Sequence, residues 1–270
     1  MKNTLYSLII FATMLFIVAS CDDAGIDRTP NEVTHDYMPF AVANYWVYDV
    51  NSSIDGMSQD SLYISGISNT NGYDYFDFDT SVTSTSLAPQ LYAQNLHRKL
   101  DGNHYTYGSI NLGSLFNDVF NFEILLDDII LVSESAPIGT VLATQSNSVS
   151  QTLGGIPLTI NYTLENTLNN IASTLTVNSE IFTDIIETEI TLNVTITANV
   201  TVAGITLPIT VLSPQNVLVM TNSYADQVGL IHSNTEISYE LEAIPGITYP
   251  FPSSASENSV QEIIRYNVNN

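Results

Sequence analysis

The sequence predicts a mainly β protein, built as one strongly curved antiparallel sheet or partial barrel with at most one or two short helices. The first observation is composition: Thr, Asn, Ser, Ile and Val are abundant, whereas Lys, Arg and Glu are comparatively few, a balance that favours strands. The second is repeated alternation of apolar and polar residues, which is typical of a sheet with one buried face. The third is turn sequences such as Asn71-Gly72, which favour tight hairpins.

The N-terminus carries the features of an export signal. Lys2 precedes an apolar run from Leu5 to Ala19, and about 15 residues is long enough for a signal peptide but short for a membrane-spanning helix. The run closes on Val18-Ala19-Ser20-Cys21. These residues resemble the bacterial lipobox, which implies that Cys21 receives a diacylglycerol, and an acyl chain such as palmitate, and becomes the mature N-terminus. An ordinary signal peptide with a chance cysteine, or an uncleaved anchor, remains open.

This resemblance implies a division of the chain and a location. Residues 1–20 would be the lipoprotein signal peptide, residues 21–35 the acylated cysteine with a flexible tether, and residues 36–270 a single antiparallel β domain. Asp22-Asp23 follows the cysteine directly and resembles the surface-export signal of Bacteroidota lipoproteins. We therefore expect an outer membrane lipoprotein that faces the cell surface, with the periplasmic face as the alternative.

The charge of the chain is strongly negative. It has 28 acidic and 5 basic residues and a formal charge of −23, and loss of Lys2 with the signal peptide would leave −24. Such a field repels nucleic acid and anionic lipid headgroups, so nucleic acid is not an expected partner. Contact with the membrane would depend on the lipid on Cys21. Since Cys21 is the only cysteine, we expect no disulfide framework.

Five strands are predicted in the first part of the domain. Alternation in the first of them puts Trp46, Tyr48 and Val50 on one face and Tyr45, Val47 and Asp49 on the other. The predicted strands are Tyr45–Val50, Ser61–Ile67, Tyr73–Asp79, Leu91–Leu100 and His104–Ile110, with turns at Asn71-Gly72 and Asp101-Gly102. Leu115–Val132 fits both helical and strand spacing, and it is the best candidate for a helix.

The second part predicts a long, well-registered hairpin. In Ile186–Val202 apolar and polar residues alternate, and Ala203-Gly204 then turns the chain. Pairing Val202 with Ile205 places Val200 opposite Leu207, Ala198 opposite Ile209 and Ile196 opposite Val211, all apolar on one face. At ~3.3 Å per residue this strand would span roughly 56 Å, so the sheet must bend. Further strands are expected at Ile156–Glu165, Val217–Tyr224, Val228–Leu241 and Glu262–Val268.

Two segments resemble a class of uncharacterised Bacteroidota cell-surface lipoproteins. Tyr37-Met38-Pro39, followed by Asn44-Tyr45-Trp46-Val47-Tyr48, is similar to the opening "Tyr-x-Pro…Asn-x-Trp-x-Tyr" of that class. Tyr224-Ala-Asp-Gln-Val-Gly-Leu230 is similar to a segment near its end. The resemblance touches both ends of the domain and implies one continuous fold. It transfers no catalytic residue.

Several polar groups are candidate sites, each with a simpler structural explanation. His97 and His104 are able to meet across the Asp101-Gly102 hairpin, yet two histidines without a third spaced ligand favour hydrated strand residues over zinc. Asp74, Asp77 and Asp79 lack the spacing of a calcium loop, which favours a charged outer strand. The acidic pairs Asp127-Asp128 and Glu187/Glu189 are candidates for an acid and a base. Glu187 and Glu189 lie on the polar face of a long strand, which favours a solubilising role.

The sequence contains no recognisable catalytic, cofactor or metal motif. We therefore predict no enzyme activity, no catalytic residue, no cofactor and no metal. The leading hypothesis is a membrane-anchored binding module, whose curved sheet presents an apolar face to an apolar or lipid ligand, as the sheets of LolA-like carrier lipoproteins do. The alternative is a structural or interaction lipoprotein that binds glycan or a partner protein. An empty apolar cavity along the Ile186–Val202 face would favour the first, and a packed interior the second.

Overall fold

The computed structural model describes residues 35–81, 86–111, 123–153, 155–202, 204–244 and 252–269. His35 begins a compact unit that continues to the C-terminus. Twelve strands and one helix are found in the described residues. The strands are β1 Tyr45–Ser52, β2 Gly56–Thr70, β3 Tyr73–Asp79, β4 Leu96–Leu100, β5 Asn103–Asn111, β6 Glu123–Ser133, β7 Val141–Leu153, β8 Ile156–Val177, β9 Glu180–Val202, β10 Ile205–Ala225, β11 Gly229–Glu240 and β12 Ser254–Asn267; the helix, α1, is Leu87–Ala93.

The strands form one antiparallel sheet that curls into a nearly closed barrel, as the composition and alternation predict. The order is β6-β5-β4-β3-β2-β1-β12-β11-β10-β9-β8-β7. Each strand is therefore paired with its neighbours in sequence, except that β6 and β7 are not paired with each other and β1 pairs with β12. The edge strands are β6 and β7. We call the place where the two edges approach each other the seam. There the Asn166 amide of β8 donates to the carbonyls of Ile130 and Leu131 of β6, at 2.8 and 3.0 Å.

The first and last parts of the domain meet at β1. Trp46, Tyr48 and Val50 are buried inside the barrel, as their alternation predicts. The Trp46 indole donates to the Val228 carbonyl at 2.6 Å, and the Tyr48 hydroxyl donates to the Leu230 carbonyl at 3.1 Å. A Cβ on Gly229 would lie only 3.0 Å from Trp46 Nε1, so this position requires glycine. The two segments that carry the family resemblance are therefore in direct contact.

The predicted strand Leu91–Leu100 is wrong over its first residues, because α1 covers Leu87–Ala93 and β4 begins at Leu96. Pro89 is tolerated in the first turn of a helix, and α1 buries Ala88, Leu91 and Tyr92 against the inner face of the sheet. The helix is held by distant residues: Asp60 accepts from the Ser86 backbone N–H and hydroxyl. Burial inside the barrel, rather than local propensity, stabilises so short a helix.

Two further predictions need correction. The helix candidate Leu115–Val132 is strand from Glu123 onward, where β6 pairs with β5, and residues 112–122 lie outside the described part. In the long hairpin Val202–Ile205, Val200–Leu207 and Ala198–Ile209 pair as predicted, but Ile196 pairs with Leu212 rather than Val211. A β-bulge at Val211 shifts the register, and both Val211 and Leu212 are buried.

Strands β7 to β10 extend past the rest of the barrel. β8, β9 and β10 have 22, 23 and 21 residues, whereas β11 pairs with β10 only from Leu218 to Ala225. We call the extension the wing: β7, Ile156–Leu164 of β8, Ile190–Val202 of β9 and Ile205–Val217 of β10. Its inner face joins the hydrophobic core through residues such as Ile160, Leu192 and Ile196. The chain enters the domain at the opposite end, where Asp226, beyond the last residue of β10, contacts His35.

Candidate binding surface

The two histidines singled out from the sequence do meet. β4 and β5 are paired so that His97 lies opposite Thr106 and His104 opposite Lys99. Both side chains point inward, and His97 Nδ1 lies 3.0 Å from His104 Nε2. Asp101, in the turn, is exposed and is not part of this contact. The expectation of hydrated strand histidines is wrong, because His97 and His104 are 0% and 1% exposed.

The geometry fixes the proton positions of the pair. His97 Nε2 lies 3.0 Å from the Tyr92 carbonyl oxygen, which only accepts, so Nε2 carries the proton of His97. His97 Nδ1 is then the acceptor, and His104 Nε2 donates to it. This leaves His104 Nδ1 as a buried acceptor without a hydrogen-bond partner among the residues that the structure describes. The two rings form a neutral, directional hydrogen-bonded chain that ends at the helix backbone.

The surroundings of the pair are aromatic and oppose charge. Phe78 and Tyr92 pack on the His97 ring, and Phe40 contacts His104. Burial lowers the pKa of His97 to about 3, and burial together with the neighbouring His97 lowers the pKa of His104 well below its usual value. Among the described residues, no three His, Cys, Asp or Glu side chains lie close enough to hold a metal ion. The pair therefore acts within the barrel as a packing and hydrogen-bonding element.

The acidic candidates lie in structural contacts. Asp77 and Asp79 accept hydrogen bonds from Ser68 and Tyr63 on the neighbouring strand. The expected outer strand is wrong, because β3 lies between β2 and β4 in the sheet. Asp74 accepts from Asn69.

The other acidic candidates also lie on the outside of the sheet. Asp128 forms a bidentate ion pair with Arg98, at 3.2 Å to Nε and 3.0 Å to the terminal nitrogen, while Asp127 is exposed. Glu187 and Glu189 are half-buried on the outer face of β9. None of these carboxylates is brought together with another in a cleft.

Cys21, the predicted lipidation site, lies outside the described residues. In the part of the chain that the structure describes, no helix is long and apolar enough to span a lipid bilayer.

The wing has a property that the sequence predictions missed: it carries no charge. Residues 135–164 and 190–225 contain no Asp, Glu, Lys or Arg, in a chain with 28 acidic residues. The two segments are far apart in sequence, but pairing of β8 with β9 makes them neighbours. Apolar side chains at the hairpin tips of this region are exposed, among them Ile156, Ile205 and Leu207. The lack of charged residues in these two segments of the sequence could have identified this surface.

The outer face of the wing contains a depression of about 430 Å³. Six of the side chains that line it belong to outward positions, since they alternate with the buried Tyr162 and Val194. They are Ser146 and Ser148 of β7, Asn161 and Thr163 of β8, and Asn193 and Thr195 of β9. Each is a neutral hydroxyl or amide, so the depression offers both hydrogen-bond donors and acceptors.

Some of these polar groups are already oriented by their neighbours. The hydroxyls of Ser146 and Thr163 lie 2.8 Å apart, and the Asn193 amide donates to Asn216 at 3.0 Å. Such contacts hold side chains in place before a ligand arrives, which reduces the entropy lost on binding.

Comparison of the chain with protein-family profiles, with curated proteins and with solved structures finds no match.

Proposed function

We propose that this protein is a lipid-anchored, non-enzymatic surface module that binds a neutral carbohydrate in the depression on the outer face of β7, β8 and β9. The observation that carries the proposal is the lining of that depression, which is made of neutral hydroxyl and amide side chains within a region free of charge. The depression lies on the outer face of the barrel, so a ligand reaches it without entering the core.

The class of ligand follows from excluding charged ligands. Anionic ligands are repelled by a chain of formal charge −23. Protein sites for hard cations usually include carboxylate ligands, and the lining contains none. A sugar presents several hydroxyls that both donate and accept, and Ser, Thr and Asn side chains match that pattern.

The inner face of the long hairpin supports an exterior ligand rather than a lipid in the barrel. Leu192, Val194 and Ile196, on the Ile186–Val202 face, are each 0% exposed and belong to the core. A carrier would need this face to be free for its ligand.

The anchor rests on the sequence, through Val18-Ala19-Ser20-Cys21 and Asp22-Asp23. We propose lipidation at Cys21 and display at the outer membrane surface. A Cys21→Ala variant should leave the membrane fraction. Protease added to intact cells should degrade the wild-type protein, and its survival would indicate the periplasmic face.

The carbohydrate proposal is tested by screening the purified chain on an array of neutral glycans, followed by calorimetry with any binder. Asn161→Ala and Asn193→Ala should each weaken binding roughly tenfold, because each removes an amide worth about 1.4 kcal/mol or more. Asn170→Ala is the matched control, since Asn170 is exposed on β8 outside the depression and should leave binding unchanged. Equal effects of all three variants, or failure of every neutral glycan to bind, would refute the proposal.

A further inference from the structure

Within the described residues, the edge strand β7 is paired with another strand on one side only. It is the last strand of the sheet and pairs with β8 over its length, from Val141 to Leu153. On its other side, alternate N–H and C=O groups point away from β8 in the plane of the sheet. Such an open edge is a template for pairing with a further strand. β7 has 13 residues, VLATQSNSVSQTL, and contains no proline and no charged residue.

The opposite edge, β6, is protected where β7 is not. β6 carries Glu123, Asp127 and Asp128, and Asp128 has a positive φ of 50° beside irregularities in the β5–β6 register. Charges and bulges are the usual means by which a sheet edge avoids pairing with another chain. In β7 the only register irregularity is at the start, between Val141 and Ala143. An acidic chain that protects one edge and leaves the other bare and neutral has an edge suited to pairing.

The distribution of charge over the chain indicates which strand pairs with the open edge of β7. Two copies of a chain with formal charge −23 repel each other, except where their neutral surfaces meet, and the wing is such a surface. Pairing β7 with β6 of a second copy would bring carboxylates to the contact and generate an open chain of molecules. Pairing β7 with β7 is two-fold symmetric and closes at two copies.

We propose that two copies of this chain associate by antiparallel pairing of their β7 strands, centred on Ser148. This register places Ser146 opposite Ser150, and Thr144 opposite Thr152, of the second copy. Since alternate side chains of a strand share one face, these outward residues form a continuous row of hydroxyl pairs, and such pairs stabilise neighbouring strands.

The consequence for the depression is that it lies at the dimer axis. Ser146 and Ser148 line it and belong to the pairing strand, so the depressions of the two copies adjoin. The dimer therefore presents two binding surfaces side by side. The inference does not depend on the carbohydrate proposal, because the pairing involves the edge of β7 and needs no ligand.

The test is sedimentation velocity over a concentration series, with the full mature chain carrying Cys21→Ala so that no lipid is present. Wild-type β7 should give a monomer–dimer equilibrium. Ser148→Asp places two carboxylates against each other at the axis and should weaken the dimer by about tenfold or more. Thr197→Asp adds the same charge on the outer face of β9, away from the edge, and should leave the dimer intact. Mixing Ser148→Asp with Ser148→Lys should restore association.

Cross-linking tests the register directly. In the Cys21→Ala background the chain has no other thiol. Ser148→Cys should form an intermolecular disulfide under mild oxidation, since directly opposite residues lie within disulfide range. Thr152→Cys, which lies opposite Thr144, should not. A monomer at every concentration, or a dimer indifferent to Ser148→Asp, would overturn the proposal. A dimer sensitive to Ser148→Asp in a protein that binds no glycan would leave it standing.

Discussion

The buried pair of His97 and His104 should make the protein sensitive to mild acid. Burial lowers the pKa of His97 from 6.5 to about 3, and that of His104 well below its usual value. In the unfolded chain both imidazoles take up protons below pH 6.5, whereas in the barrel they stay neutral. The unfolded state therefore binds more protons, and folding stability falls as the pH drops from 6.5 toward the folded pKa values.

The size of the effect follows from the pKa shift. At pH 5.0, 1.5 units below the unfolded value, each neutral imidazole costs about 2 kcal/mol, so the pair costs about 4 kcal/mol relative to pH 7.5. This is a large share of the 5–15 kcal/mol that stabilises a typical domain.

The measurement is urea unfolding at pH 7.5 and pH 5.0, comparing wild type with the double variant His97→Phe/His104→Phe. The variant keeps aromatic rings beside Phe78 and Tyr92, although it loses the bond to the Tyr92 carbonyl. It should be less stable at pH 7.5 but should lose about 4 kcal/mol less on acidification. His35→Gln, at the half-exposed contact with Asp226, should retain most of the wild-type loss. An acid loss in the double variant equal to that of wild type would refute the reasoning.

Two further predictions concern single contacts in the barrel. Asn166→Ala removes both hydrogen bonds to the carbonyls of Ile130 and Leu131, so it should lower the free energy of unfolding by about 1–3 kcal/mol. Amide hydrogen exchange should become faster by a larger factor in β6 than in β1. An equal increase in both strands would contradict a local role of Asn166 between β8 and β6. Gly108→Ala would make a Cβ overlap with Asn95 Oδ1 and displace the side chain that joins Leu91 to Ser109. The Tm of this variant should therefore fall well below that of the control Gly66→Ala, whose Cβ would meet only Asp77, at 3.8 Å.

The parts of the fold that sequence predicted well are those with strict alternation. Ala198 pairs with its predicted partner, and a shift by one residue would expose the buried Val194 and Ile196 on the same strand. The register then continues to the hairpin tip, where Val200–Leu207 and Val202–Ile205 pair as predicted although Ile205 and Leu207 are exposed. The prediction failed at Val211 since Leu212 follows it directly. Two adjacent apolar residues permit a bulge, and alternation cannot tell which of them faces the partner strand.

The helix and the binding surface depend on contacts between distant residues. α1 has seven residues, too few to be stable without tertiary contacts. Asp60 and Tyr224, which hold Ser86 and Tyr92, lie 26 and 132 positions away. The depression likewise requires β7, β8 and β9 to be neighbours. The histidine contact was within reach of sequence, because a two-residue turn joins its strands, but its burial depended on α1 and Phe40.

The two proposals concern different groups of the same strand and can be separated. Side chains of β7 point toward the depression, whereas its unpaired backbone groups lie in the plane of the sheet, so a sugar on the face and a strand on the edge do not compete. Asn161 and Asn193 line the depression but do not belong to β7. Their alanine variants should weaken carbohydrate binding roughly tenfold while the dimer persists. Ser148 belongs to both, so Ser148→Asp should affect both. If Asn161→Ala dissociated the dimer, the depression would be part of the protein interface, and the argument for a sugar there would fail.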